Sequence, residues 1–295
     1  MRILLTGGTG LIGRALCNQW HSEKHEVFVW SRSPEKVAPL CYNARGIAKL
    51  EELNHISIDA VVNLAGAPIA DRPWTAQRRQ LLWQSRVDLT KALVDWMIQR
   101  SIPPKVLVSG SASGWYGDGG ETYLDENSTA SHADFGSRLC VAWENEAERA
   151  TQAGIRVSLL RTAPVLTREG GMLKKLIPLY KLGLGGRLGH GKQWMPWIHI
   201  DDEIRLINHL LHASECCGAF NACTPESVRN EDFTQALAHS LRRPAWFAVP
   251  AWPLRLTLGE MSVLLLGGQR LRPTRTAASG FKWKYPSLES VLSNL

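Results

Sequence analysis

The stretch ILLTGGTGLIGRAL, residues 3–16, decides the fold. Residues 2–6 read as an apolar strand and 11–23 as a helix, so the glycines between them stand at a strand-to-helix turn. There each glycine has a physical task. Gly7 permits the tight turn, Gly10 lets backbone approach a pyrophosphate with no Cβ in the way, and Gly13 lets the helix pack closely on the strand. The start of the helix offers unpaired N–H groups and the positive end of its dipole to an anion. Gly7, Thr9, Gly10, Leu11, Ile12 and Gly13 are therefore the expected phosphate-gripping loop of a dinucleotide site.

Working outward, short apolar runs at 26–30, 60–64, 106–108, 157–160 and 219–222 alternate with helix-like stretches at 76–98, 139–153 and 201–212. That alternation predicts an α/β fold, a Rossmann-type doubly wound parallel sheet. After Arg161 the texture changes to GGMLKKLIPLYKLGLGGRLGHGKQWMPW, rich in glycines and aromatics, and from Thr224 onward amphipathic stretches are broken by Pro244, Pro250, Pro253 and Pro273. The expected organisation is a dinucleotide-binding domain over 1–165 to which 198–223 return. Residues 166–197 and 224–295 would form a smaller, mainly helical substrate lobe.

The composition is that of a folded globular chain, with 44% hydrophobic and 21% charged residues. A net charge of +7 is spread over pairs such as Arg78-Arg79, Lys174-Lys175 and Arg242-Arg243 rather than a long basic run, so no nucleic-acid partner is expected. The six cysteines lack the spacing of a zinc site and read as reduced thiols, with no metal expected. The N-terminal apolar run stops at Thr6, too early for a signal peptide, and no apolar stretch approaches the ~20 residues a membrane-spanning helix needs. The expectation is a cytoplasmic protein with a small-molecule substrate and no membrane partner. The oligomeric state stays open.

The second apolar run ends in Ser31-Arg32, where proteins that prefer NAD usually present a carboxylate to the adenosine ribose. A hydroxyl and a guanidinium suit a 2′-phosphate instead, because Arg makes forked, charge-assisted hydrogen bonds to it. The expected cofactor is NADP(H).

The TGxxGxxG loop, DAVVNLAG at 59–66, VSGSASGWYG at 108–117 and WIHIDD at 197–202 together resemble the extended short-chain dehydrogenases/reductases of the sugar-nucleotide epimerase type. More narrowly, LAGAPIADRPW, LCVAWE, GLGGRLGHGKQWMPWIHIDD and RRPAWFAVP are similar to the atypical YfcH-type epimerase-family proteins, C-terminal domain included. The resemblance covers nearly the whole chain. It implies that Leu64, Ala65 and Gly66 pass the adenosine side of the cofactor with Arg86 near them, that Ser109 belongs to the same site, and that Pro164 borders the nicotinamide. Relatives commonly read R-x-G-V-V-L where this chain reads RTAPVL, and proline removes one backbone donor.

The chemistry departs further. The superfamily pairs a Ser or Thr with Tyr-x-x-x-Lys, whose lysine lowers the tyrosine pKa for proton exchange during hydride transfer. Ser111 fits the serine position, but Phe135 stands where the tyrosine belongs and Leu139 where the lysine belongs. Arg138 is no substitute, since a guanidinium stays protonated. Ser111 and Tyr116 remain the candidate catalytic residues, with Ser113 and His199 behind them. His199 reads as an anchor that caps the next helix with Asp201, and Trp115, Trp194 and Trp197 as cleft walls or core. Two functions follow: an epimerase-like or oxidoreductase enzyme with a nonstandard proton donor, acting on a carbonyl or sugar-nucleotide compound, or a non-catalytic NADP(H)-binding sensor or partner-binding protein.

Overall fold

The computed structural model describes residues 1–293. Seven parallel strands form the central sheet: β1 (Arg2–Thr6), β2 (Glu26–Trp30), β3 (Arg45–Ile47), β4 (Ala60–Asn63), β5 (Val106–Ala112), β6 (Arg156–Thr162) and β7 (Gly218–Ala222). Their order across the sheet is β7-β6-β5-β4-β1-β2-β3, the doubly wound arrangement, so the winding direction reverses between β1 and β4. A crevice opens beyond the C-terminal ends of the strands at that reversal, where ligands of such sheets bind.

The strands are apolar on both faces because both are covered. Ile3, Leu5, Val62, Val108, Leu160 and Phe220 pack under the helices Leu11–Ser22 and Ile200–His212, while Leu4, Phe28, Val61, Leu107 and Leu159 pack under Leu89–Ile98 and Phe135–Glu148. The alternation of Ile3 and Leu5 against Leu4 is the two-residue period of an extended chain.

Local departures from the sequence pattern have local causes. β3 was not foreseen: three residues, RGI, carry no periodicity, and only pairing with Phe28, Val29 and Trp30 makes them a strand. The single helix expected over 76–98 is a helix Ala76–Trp83, a π-helical turn Gln84–Asp88 and a helix Leu89–Ile98. The helix expected from 139 starts earlier, because the Asp134 carboxylate accepts from Ser137 N at 3.0 Å and caps it.

The smaller lobe gathers the helices Gly171–Lys181, Asn230–Ser240 and Leu288–Leu292 around Leu173, Tyr180, Trp197, Phe233, Leu237 and Val291. Short strand pairs complete it, among them Gly186–Leu188 with Phe247–Val249. No helix among the described residues is long and apolar enough to cross a membrane.

Candidate functional site

The glycine loop is fixed by what it leaves no room for. Gly7 sits at φ +71°, where a Cβ would lie 2.5 Å from Leu64 O, and a Cβ on Gly13 would lie 2.3 Å from Gly7 O. Backbone blocks a side chain at both positions. Gly10 is exposed at the head of the helix Leu11–Ser22, and its N–H donates to Gly7 O at 2.9 Å. That helix has no acidic residue in its first turn and no side-chain cap, so its leading N–H groups face the crevice beside exposed Thr9 and half-buried Leu11 and Ile12. Leu11 also touches the smaller lobe: a Cβ on Gly170 would lie 2.7 Å from its side chain.

Beneath the loop a buried polar network ties three strand ends together. Thr6 Oγ1 donates to Asn63 Oδ1 at 2.7 Å and accepts from Ala65 N at 3.0 Å. Asn63 Nδ2 donates to Thr90 Oγ1 at 2.8 Å and to Ser109 Oγ at 3.2 Å, and Trp143 Nε1 donates to Thr90 Oγ1 at 2.9 Å. Ser109 is thus wholly buried, while Leu64, Ala65 and Gly66 run along the crevice above it. Arg86, on the π-helical turn, lies against Gly66 and 5.4 Å from the centre of the Trp143 ring. Its Nη1 is buried and, among the described residues, has no acceptor, and burial lowers the guanidinium pKa from its ordinary value.

At the outer end of the crevice, Ser31 follows β2 and its hydroxyl accepts from Ser33 N at 3.1 Å. Arg32 is exposed, and among the described residues it makes no ion pair or side-chain hydrogen bond. Arg14, the residue after Gly13, is exposed too and acts electrostatically on the Cys41 thiol, whose Sγ donates to Gly8 O at 3.3 Å. Two cations therefore flank this end of the loop.

At the inner end, Ser111 near the end of β5 meets a buried ion pair. Its Oγ donates to Glu144 Oε1 at 2.6 Å, and Arg161 grips Glu144 with Nε and Nη2, each at 2.9 Å. Arg161 Nη1 donates to the Tyr116 hydroxyl at 3.0 Å, which donates to Asn221 Oδ1 at 2.7 Å. Ser111, Tyr116, Glu144 and Arg161 are each at most 5% exposed. Burial pushes the Tyr116 phenol up to about 12, against the pull of Arg161, so it stays protonated at neutral pH. Trp115 carries the Arg161 guanidinium 3.4 Å from its ring centre. Phe135 and Leu139 lie in an apolar cluster with Trp74 and Trp143.

Pro164 is exposed just past β6, and its carbonyl accepts from Ile198 N at 3.2 Å. His199 Nδ1 accepts from Asp201 N at 3.2 Å and caps the helix Ile200–His212; burial lowers the pKa of its imidazole. Ser113 is buried in the turn Ser113–Tyr116, Trp197 in the core of the smaller lobe, and Trp194 donates to Glu121 at 3.0 Å. Sequence reading missed Asn63, Glu144, Arg161 and Asn221. A signal existed for two of them: Glu144 in an apolar helix face and Arg161 at the end of an apolar strand each demand a buried partner.

The crevice fits a dinucleotide: a bare helix N-terminus, a glycine cradle closed to Cβ atoms, and an unsatisfied Arg86 donor beside the 64–66 segment. Comparison with known proteins agrees. The family model described as "NAD dependent epimerase/dehydratase family" matches residues 3–223, and "Domain of unknown function (DUF1731)" matches 249–295. The Bacillus subtilis epimerase family protein YfhF is 34% identical over 100% of this chain and 98% of its own. An Arabidopsis thaliana epimerase family protein, the chloroplastic SDR39U1 homolog, is 36% identical over 99% and 86%. The crystal structure of human SDR39U1 with NADPH superposes with a TM-score of 0.91 at 33% identity, covering 100% of this chain and 98% of that one.

Proposed function

The chain belongs to the NAD dependent epimerase/dehydratase family, and on that premise we propose that it is an NADPH-dependent enzyme acting on a small or nucleotide-linked carbonyl compound, with Ser111 and Glu144 handling the proton. The carrying observation is the 2.6 Å hydrogen bond from Ser111 to Glu144 at the inner end of the crevice. The 7–13 loop, Arg86 and the Ser31-Arg32 pair would hold the dinucleotide, which would supply or take up hydride when bound. The chain's own part is to orient substrate and move one proton. In the oxidising direction the substrate hydroxyl gives its proton to Ser111 Oγ as Ser111 passes its own to Glu144 Oε1; reduction runs the same path backwards. Arg161, with two donors on the carboxylate, holds Glu144 in line.

Ser111→Ala tests the relay. Oxidation of NADPH against a panel of carbonyl compounds is expected to fall at least about a hundredfold, the usual contribution of general acid–base catalysis, with NADPH affinity unchanged. Unaltered turnover in that variant removes Ser111 from the chemistry.

The preference for NADPH rests on Arg32. Charge-assisted hydrogen bonds to a 2′-phosphate are worth about 1.5–3 kcal/mol each. Calorimetry on Arg32→Ala is therefore expected to show more than tenfold weaker NADPH binding and little change for NADH. Equal losses for the two cofactors would sink the assignment.

A second reading has its own observation. The Ser111–Glu144–Arg161–Tyr116–Asn221 chain is satisfied internally, as in a structural network. Absence of wild-type turnover across the panel, with NADPH still bound, would favour a non-catalytic NADPH-binding protein.

A further inference from the structure

The smaller lobe carries a surface that the dinucleotide site does not use. Trp246 is 90% exposed, Leu256 78%, Leu182 73% and Trp252 69%. These are isolated protruding side chains. Three pieces of chain carry them: the end of the helix Gly171–Lys181 with the residues after it, Trp246 with the strand Phe247–Val249 that follows it, and the helix Ala251–Leu258, which buries none of its residues. The first two are stitched together, since Gly186–Leu188 pairs with Phe247–Val249 in register. Gly189 lies against Ala251, which draws the third piece to the same place.

The charges of these segments have one sign. Residues 170–192 contain Lys174, Lys175, Lys181, Arg187 and Lys192, and residues 233–259 contain Arg242, Arg243 and Arg255, with no Asp or Glu in either stretch. All eight are exposed, and among the described residues none makes a side-chain hydrogen bond or ion pair. Of the carboxylates that flank the stretches, Glu260 is engaged by Arg79 and Asp232 by the backbone of Arg229, while Glu169 and Glu231, among the described residues, make no side-chain hydrogen bond or ion pair. A second copy of the chain would bring like charge onto like charge. An occupant must be anionic and must accept separate protruding indoles and leucines rather than fill a groove.

We propose that this face docks peripherally on an anionic lipid bilayer, with Trp246 and Trp252 entering the headgroup boundary and the eight cations lying over acidic lipid. Indoles are at home at that depth, and stable binding of a peripheral protein takes both an apolar and a polybasic signal. The lack of a spanning segment, from which no membrane partner was expected, does not bear on docking of this kind. The helix Gly171–Lys181 begins beside the glycine loop, where Gly170 lies against Leu11, so the tryptophan pair, carried by other segments, is the variant that separates docking from cofactor binding.

Co-sedimentation of the full chain with phosphatidylglycerol–phosphatidylcholine vesicles, against phosphatidylcholine alone, tests it. Binding is expected to the anionic vesicles only and to weaken with salt. Both the exposed pair Trp246→Ser with Trp252→Ser and the pair Lys174→Glu with Lys175→Glu are expected to lower the partition coefficient roughly tenfold or more. NADPH affinity serves as the check that the tryptophan variant is folded, and thermal unfolding as the check for the lysine variant. No sedimentation with anionic vesicles at low salt overturns the proposal and leaves an acidic protein as the occupant. Full binding by the tryptophan variant also overturns it, because charge alone would then account for the attraction.

Discussion

Arg161→Met is expected to destabilise the protein by about 3–5 kcal/mol, the cost of leaving one member of a buried ion pair without its partner. Glu144 is 5% exposed, and without Arg161 it would keep, among the described residues, only the Ser111 hydroxyl as donor. The Tyr116 hydroxyl would lose a donor, and Trp115 the cation stacked on it. For a chain of this size such a loss lowers the melting temperature by roughly 10 °C. Replacing both partners, Arg161→Met with Glu144→Leu, is expected to recover much of the stability, since apolar side chains of similar volume can substitute for a buried pair. Thermal unfolding of the two variants decides the matter. A single variant within about 1 kcal/mol of wild type, or a double variant worse than the single, contradicts the account.

Glu203→Gln is expected to change the pH dependence of stability rather than the fold. Glu203 is wholly buried in the first turn of the helix Ile200–His212; Oε1 accepts from Thr162 Oγ1 at 2.8 Å and Oε2 has no partner among the described residues. Burial pushes its carboxyl up to about 8 from an ordinary value of 4.5. Between those values the native state holds a proton that the unfolded chain releases, so stability is full below about pH 4.5 and falls as pH rises toward 8. At about 1.4 kcal/mol per pKa unit the loss approaches roughly 5 kcal/mol. The amide of Gln cannot ionise but leaves a buried N–H without a partner, at a cost of about 1–3 kcal/mol. A net gain of a few kcal/mol at pH 8 and a flatter profile should result. Identical pH slopes for wild type and variant in denaturant unfolding would place the titration elsewhere.

The sequence by itself determined most of the sheet and the glycine loop at its reversal point. Gly7 and Gly13 are legible because backbone occupies the space of a Cβ, a constraint that acts on single positions and leaves its mark in TGGTGLIG. The strands β1, β2 and β4 are legible for the same local reason: burial on both faces demands runs such as ILL, VFV and AVV. Arg32, expected at a 2′-phosphate, stands exposed after β2. The resemblance extended this to the family.

The tertiary structure alone decided the inner end. Ser111 and Glu144 are 33 residues apart, and Tyr116 and Asn221 are 105 apart. No local period records which buried charge meets which, because the partner is chosen by the pairing of β5 with β6 and of β6 with β7 and by the helix laid across them. The edge strand β3 has the same explanation, since three residues too short to carry a pattern become a strand only against β2. Exposure of Trp246 and Trp252 is likewise invisible in a string where tryptophan suggests core. A side chain is exposed or buried according to what the rest of the chain packs against it, and here Trp246 is left 90% and Trp252 69% exposed.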